Sequence, residues 1–353
     1  MHLIDSPEQL HILQRHGAKR WPPGFFYPGC VCCGQKYTVR KYANDSSFNV
    51  EWSYLGGSVA DDVFESGGKV YAAYDKATSS SNVGARLNSD ASIDQNYDTT
   101  DAVLTPASTS PTVLDSSGNW YRLLSHATGY DVGKWSTTGT KSNFATNDGL
   151  TSELMRGLAI DSSDNVYGLS TSGIFGTTQN LYKWNSSGTK QWRTTLSTSE
   201  SGYWNIWVDT GGSVWVVGQT SAYRVNSSGT ITTTITPTNQ IQAGCSDNGT
   251  GCWIRTNAVG AWNEIRQYDS AGTLSTSWDE SQILAGTGGL IAVSPDGYVY
   301  AMVRTSGSLR QVRKYDSTGT VQWTSGDVGF GAVAIYRMTA TNSYVYIAGT
   351  KIP

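Results

Sequence analysis

The stretch VRKYDSTGTVQW, residues 312–323, sets a basic pair and an aromatic before a tight polar turn and closes on Val-Gln-Trp. The chain writes it again as LYKWNSSGTKQW from Leu181, IRQYDSAGT from Ile265, YRVNSSGT from Tyr223 and VGKWSTTGT from Val132. Asp, Asn and Ser side chains at the start of such a turn bond the backbone ahead of them, and Gly takes positive φ without penalty. Each copy therefore reads as a hairpin.

A second hairpin alternates with the first. It ends in an aromatic just after a turn: ESGGKVY at Tyr71, DSSGNWY at Tyr121, DSSDNVY at Tyr167, DTGGSVW at Trp215, DNGTGCW at Trp253, SPDGYVY at Tyr300 and ATNSYVY at Tyr346. The intervals run from 38 to 50 residues. Strand-length pieces at that period are the signature of a four-stranded propeller blade. One blade cannot bury a recurring Tyr or Trp of about 150–250 Å² by itself, so the aromatics are expected to wedge against the next blade. The seven opening hairpins place Tyr42, Leu87, Trp135, Trp184, Val225, Tyr268 and Tyr315 before the turn. Each follows a polar partner: Lys41, Arg86, Lys134, Lys183, Arg224, Gln267 and Lys314. Those cations are expected on exposed outer strands, where they discourage edge-to-edge pairing.

Seven hairpins of each type make an all-β, seven-bladed β-propeller. Because the chain begins with one hairpin type and finishes with the other, N- and C-terminal strands are expected to share one blade, with residues 333–348 inside and 38–52 outside. The predicted organisation is an N-terminal arm over residues 1–37 and a propeller over 38–353. In the arm, Ser6 with Gln9, Pro7 and Gly17 frame a short helix. A Pro/Gly/Cys-rich segment with Trp21, Phe25, Phe26 and Tyr27 follows, and such an apolar patch reads as a docking surface or a plug.

Composition agrees. Charged residues are 15% of the 353, aromatics 11%, and Gly numbers 39. A net charge of −3 gives no electrostatic footprint for nucleic acid. No apolar run is long enough to span a bilayer as a helix, and the first twenty residues lack the apolar core of a signal peptide.

Units such as IDSSDNVYGLS with NLYKWNSSGTKQW, and VSPDGYVYAMV with QVRKYDSTGTVQW, resemble the bacterial seven-bladed propeller (SBBP) repeat and, more loosely, the NHL repeat over about residues 38 to 350. DSTGTVQW also resembles the docking turn of quinoprotein-type propellers. The resemblance implies the fold and a binding scaffold; lyases and dehydrogenases occur on it too.

Chemistry-bearing residues are few. Cys30, Cys32 and Cys33 with His2, His11 and His16 are weak metal candidates, lacking a matching second pair. Cys245 and Cys252 flank one turn and are a disulfide candidate. His126 stands by itself in the propeller. Asp61, Asp62, Glu65, Asp279 and Glu280 read as solvated charges, and the ring centre as mostly Ala, Gly, Val and Ile. No cofactor is expected. Tyr203, Trp204 and Trp262, on longer connections, are candidates for stacking on sugars or filling a partner's pocket.

The resulting expectation is a non-enzymatic scaffold: a structural or adhesive virion component such as a phage tail, decoration or receptor-contacting protein. It would be made in the host cytoplasm and bind other virion proteins through the arm and a host-surface glycan or protein elsewhere. The alternatives are a bacterial carbohydrate-binding propeller, a quinoprotein- or lyase-like enzyme, and a cytoplasmic location.

Overall fold

The computed structural model describes residues 36–45, 50–56, 60–74, 82–98, 112–126, 129–145, 153–172, 178–197, 203–257, 263–280, 290–304, 310–328 and 335–351. The expected arm helix, Trp21, Phe25, Phe26, Tyr27, Cys30, Cys32, Cys33 and Trp262 lie outside the described residues. The strands belong to one unit, Gln35–Pro353.

The chain opens with β1 (Lys36–Ala43) and β2 (Val50–Gly56). Blade 1 follows as β3 (Ala60–Ser66), β4 (Lys69–Tyr74), β5 (Asn82–Leu87) and β6 (Ile93–Asp98). Blade 2 is β7 (Val113–Leu114), β8 (Trp120–His126), β9 (Gly129–Trp135) and β10 (Lys141–Ala145). Blade 3 is β11 (Glu153–Ile160), β12 (Val166–Ser172), β13 (Gln179–Trp184) and β14 (Lys190–Ser197). Blade 4 is β15 (Tyr203–Val208), β16 (Val214–Gly218), β17 (Ala222–Val225) and β18 (Ile231–Ile235). Blade 5 is β19 (Gln240–Ser246), β20 (Cys252–Asn257), β21 (Asn263–Tyr268) and β22 (Leu274–Glu280). Blade 6 is β23 (Ile291–Val293), β24 (Val299–Arg304), β25 (Arg310–Tyr315) and β26 (Val321–Thr324). The chain ends with β27 (Ile335–Ala340) and β28 (Tyr344–Lys351).

Each blade is an antiparallel meander, and the first strands of successive blades sit side by side around the axis. The seventh sheet runs β27–β28–β1–β2, so both ends of the propeller share one blade. Tyr42 pairs with Val345, Lys41 with Tyr346, and Val39 with Ala348. A ring sealed this way has no terminal blade to peel off.

The repeated aromatics do face the next blade. Tyr71, Tyr121, Tyr167, Trp215, Trp253, Tyr300 and Tyr346 each belong to an apolar cluster shared with the following sheet. Those seven clusters account for the seven blade junctions, including blade 6 with 7 and blade 7 with 1.

The basic series departs from expectation. It lies on the third strand of each blade, directly opposite the wedge: Lys41 pairs with Tyr346, Arg86 with Tyr71, Lys134 with Tyr121, Lys183 with Tyr167, Arg224 with Trp215, Gln267 with Trp253 and Lys314 with Tyr300. Instead of blunting an edge, the cations turn back onto the blade. Lys134 Nζ lies 3.1 Å from the Asp115 carboxylate and 5.0 Å from the Tyr121 ring centre. Lys183 repeats this with Asp161 and Tyr167, and Arg224 Nε lies 2.8 Å from Asp209 Oδ2. The strand alternation put the charge on the wet face; a turn carboxylate within reach drew it back. Such partly buried, multiply bonded pairs hold better than exposed ones.

Asp115 also accepts from the Asn119 backbone and amide and from the Tyr121 hydroxyl, and Asp161 does the same with Asn165 and Tyr167. Burial opposes ionisation of both carboxyls, but these hydrogen bonds outweigh it and hold them below the ordinary carboxylate range. A depressed folded-state pKa gives stability that is present above the unfolded value and lost as pH falls through the folded one. Unfolding free energy is therefore expected to drop on acidification below about pH 4. The pair Asp115→Asn and Asp161→Asn should flatten that limb, at a cost of about 1–3 kcal/mol near neutrality. Urea melts at several pH values check this, and a variant as acid-sensitive as the parent would contradict it.

The opening stretch now explains itself. In each copy the turn glycine has φ between +82° and +88° and donates to the Asp, Asn or Ser that starts the turn. The same turn docks on the outermost strand of the preceding blade: Gly188 on Phe144, Gly229 on Trp192, Gly272 on Thr233 and Gly319 on Trp278. Trp192 Nε1 and Thr194 Oγ1 also donate to carbonyls of the next turn, those of Ser227 and Gly229. The hairpin recurs because each copy seals one outer junction.

Candidate functional site

A four-stranded meander sends its first and third turns to one end of the sheet and its remaining connections to the other. The tight turns thus gather on one face. The connections after second and fourth strands gather on the opposite one, here the loop face, where each innermost strand begins.

Near that end, five innermost strands carry a register break. The ladder passes over Asp61 in β3, Arg156 in β11, Trp204 in β15, Gln242 in β19 and Tyr336 in β27. A β-bulge leaves the extra residue unpaired and re-aims side chains, and bulges concentrate at barrel rims and binding sites. Five such breaks mark the same end of the innermost strands, which ring the axis.

The residues just beyond the bulges tie this ring together. Arg337 Nε lies 3.2 Å from Asp62 Oδ1 on the neighbouring blade 1, and its Nη1 donates to Asn205 Oδ1 at 3.3 Å on blade 4, across the ring. The Asp62 carboxylate also accepts from the Thr112 backbone at 2.8 Å and hydroxyl at 3.1 Å, and from the Val63 N–H at 2.9 Å. Asn205 Oδ1 accepts from the Ile206 N–H, while its amide donates to Gly244 O at 3.0 Å. One guanidinium therefore spans the axis, held by a carboxylate that is nearly fully buried.

This overturns one expectation: Asp62 is no solvated loop charge. Asp62, Asn205 and Arg337 went unrecognised because they share no residue type. Their signal is a column, nine or ten residues before each wedge aromatic, in which Thr112, Gly157 and Ala243 fill the same place.

Glu280 is likewise buried. It takes both oxygens to Arg313 Nη1, at 2.9 and 2.7 Å, and accepts from the Tyr315 hydroxyl. Burial pushes the nearby Arg255 guanidinium down to about 10 against the pull of Tyr315 and Glu280. This largely buried cluster bridges blades 5 and 6, with Glu280 on one and Arg313 and Tyr315 on the other.

Cys245 and Cys252 form no disulfide. The register sets Cys245 opposite Trp253 and Ser246 opposite Cys252, so the two thiols point to opposite faces of the sheet. Cys245 packs toward blade 6 and Cys252 toward blade 4, and burial pushes both thiols up. The sequence spacing was right for a hairpin but one residue short of a facing pair. Of the remaining candidates, Tyr203 opens β15 opposite Gly218, and Trp204 is its bulge residue. His126 ends β8 opposite Gly129.

No protein-family model matches the chain, and neither does any curated protein. Solved structures do. The WD40 domain of Pan2 from Neurospora crassa superposes with a TM-score of 0.58 at 9% identity, covering 84% of this chain and 90% of that one. The likeness is one of fold. The β-propeller domain of Cps50 (Swd1) from Myceliophteria thermophila gives 0.54 at 9% identity, over 83% of this chain and 96% of the other. A puromycin hydrolase gives 0.57 at 12%, over 83% of this chain and 50% of that enzyme. Hydrolase and WD40 neighbours together make the fold neutral as to activity. Among the described residues, no helix is long and apolar enough to cross a membrane.

Proposed function

We propose that the protein is a non-enzymatic binding scaffold, a structural or adhesive virion component that presents its loop face to a host-surface glycan or protein. One observation carries this reading. The turn carboxylates Asp115, Asp161 and Asp209 and their cations are tied up within their own blades at the tight-turn end, whereas the register breaks of five innermost strands lie toward the opposite end. Binding at that face suits a rigid ring, because a preorganised surface loses little entropy on contact.

The virion part rests on the low-charge, Gly- and aromatic-rich composition and on an arm, residues 1–37, outside the repeat and suited to anchoring on other virion proteins. Imaging of purified particles with an antibody or tag against the propeller is the test. Regular decoration, lost when residues 1–34 ahead of β1 are removed, is the expected result. Particles without the chain, or purified protein that turns over substrate with ordinary enzymatic rates, would overturn it.

A further inference from the structure

The turn between β19 and β20 holds the chain's one Asn–Gly pair, Asn248–Gly249, and the same turn ties blade 5 to both of its neighbours. We infer that Asn248 is a site of spontaneous modification, where the Gly249 backbone nitrogen displaces the side-chain amide as ammonia and thereby loosens blade 5 on both sides.

The chemistry is intramolecular. The Gly249 nitrogen gives up its proton and attacks Asn248 Cγ. A new N–Cγ bond forms, the Cγ–Nδ2 bond breaks, and the proton leaves on ammonia. The resulting five-membered succinimide takes up one water, which opens one of its two C–N bonds. Opening at Cγ leaves aspartate; opening at the backbone carbonyl leaves isoaspartate, whose main chain runs through Cβ.

Local structure selects this asparagine. Glycine follows it, so no Cβ crowds the attacking nitrogen. Asn248 is exposed, and water reaches it. Asp247 Oδ1 accepts the Gly249 N–H at 2.8 Å, which places a carboxylate on the proton that has to leave. Asn248 also stands at φ +64°, in the left-handed region that asparagine tolerates better than most residues. In the equivalent turns the left-handed residue comes two places later, at Gly118, Asp164, Gly212 and Gly297. The blade 5 turn departs from the repeat at this residue.

The amide that would be lost is in use. Asn248 Nδ2 donates to Ser294 O at 2.6 Å, on blade 6. On the other side, Gly249 O accepts from Thr210 N at 3.1 Å and Thr250 O from Trp215 Nε1 at 3.0 Å, both on blade 4. Aspartate at 248 turns a donor into a charged acceptor facing the Ser294 carbonyl, beside an Asp296 carboxylate that already accepts from the Ser294 hydroxyl. Isoaspartate also lengthens the backbone between Asp247 and Gly249, shifting the carbonyls that blade 4 binds. This chemistry does not depend on what the loop face binds.

The test incubates the folded full-length chain at mildly acid and mildly alkaline pH and follows it by tandem mass spectrometry that separates aspartate from isoaspartate. Asn248 is expected to convert to both, faster at the higher pH because the nitrogen attacks as its anion. Exposed Asn143 and Asn342, followed by Phe144 and Ser343, should keep their amides. Gly249→Ala is expected to slow conversion about tenfold or more. A Cβ there would come 3.3 Å from Asp247 Oδ1, a side-chain tip that can yield, so the variant should fold. In Asn248→Asp, hydrogen exchange is expected to quicken over residues 210–213 and 294–298 but not in the turn at 161–165. Conversion seen only after unfolding in urea, with Asn248 intact in the folded chain, would overturn the site. Conversion with unchanged exchange at both seams would overturn its coupling to blades 4 and 6.

Discussion

Trp215→Ala is expected to lower the unfolding free energy by about 3–5 kcal/mol, the range for truncating a large buried aromatic. Its side chain is fully buried in the cluster joining blades 4 and 5, where Val217, Ile241, Ile254 and Tyr268 surround it. The indole Nε1 also donates across the junction to Thr250 O at 3.0 Å. Alanine removes both the packing and the donor, and leaves that carbonyl without its indole partner. The junction cannot close over the space, because each sheet is already fixed on its other face. In a ring the loss is not confined to one blade, so a single cooperative transition at lower denaturant is expected, with an unchanged m-value. Loss of only a few tenths of a kcal/mol, or a separate early transition for blades 4 and 5, would contradict the wedge role.

Gly188→Ala is expected to cost about 2–4 kcal/mol, against about 1 kcal/mol for Gly297→Ala. Both glycines have positive φ, +83° and +87°, so both substitutions carry the same left-handed strain. They differ in what a Cβ would meet. At Gly297 there is open space, whereas at Gly188 the new methyl would strike the carbonyl oxygen of Phe144 on the preceding blade. Backbone in a strand cannot swing aside as a flexible side-chain tip can, so the docking turn itself must lift. Chemical denaturation of the two variants side by side separates conformational strain from lost docking. Equal costs would mean that the repeated turn is only a turn.

Much of this architecture could be read from residue order, because each repeated feature does one local job. The wedge aromatics recur at blade length, and the docking glycines recur within a turn whose chemistry is known. Ring closure followed from the chain starting in one hairpin type and ending in the other. Partnership was harder to see. That Lys134 faces Tyr121 and reaches Asp115 depends on a register only the folded blade supplies, so alternation alone sent those cations to the wrong place. The centre of the ring was least legible. Asp62, Asn205 and Arg337 come from three blades distant in sequence and share a position, not a residue type, and their meeting across the axis has no local trace. Cys245 and Cys252 erred by one residue, which in a strand reverses the face.

The shared blade is tested most directly by native-state hydrogen exchange read by mass spectrometry on the unmodified chain. Peptides from β1 and β28 are expected to lose protection together, with the same free energy as global unfolding, because β1 is bonded on one side to β28 and on the other to β2. Rapid exchange across Val39–Tyr42 while Val345–Ala348 stays protected would show that the N-terminal strands do not complete the ring.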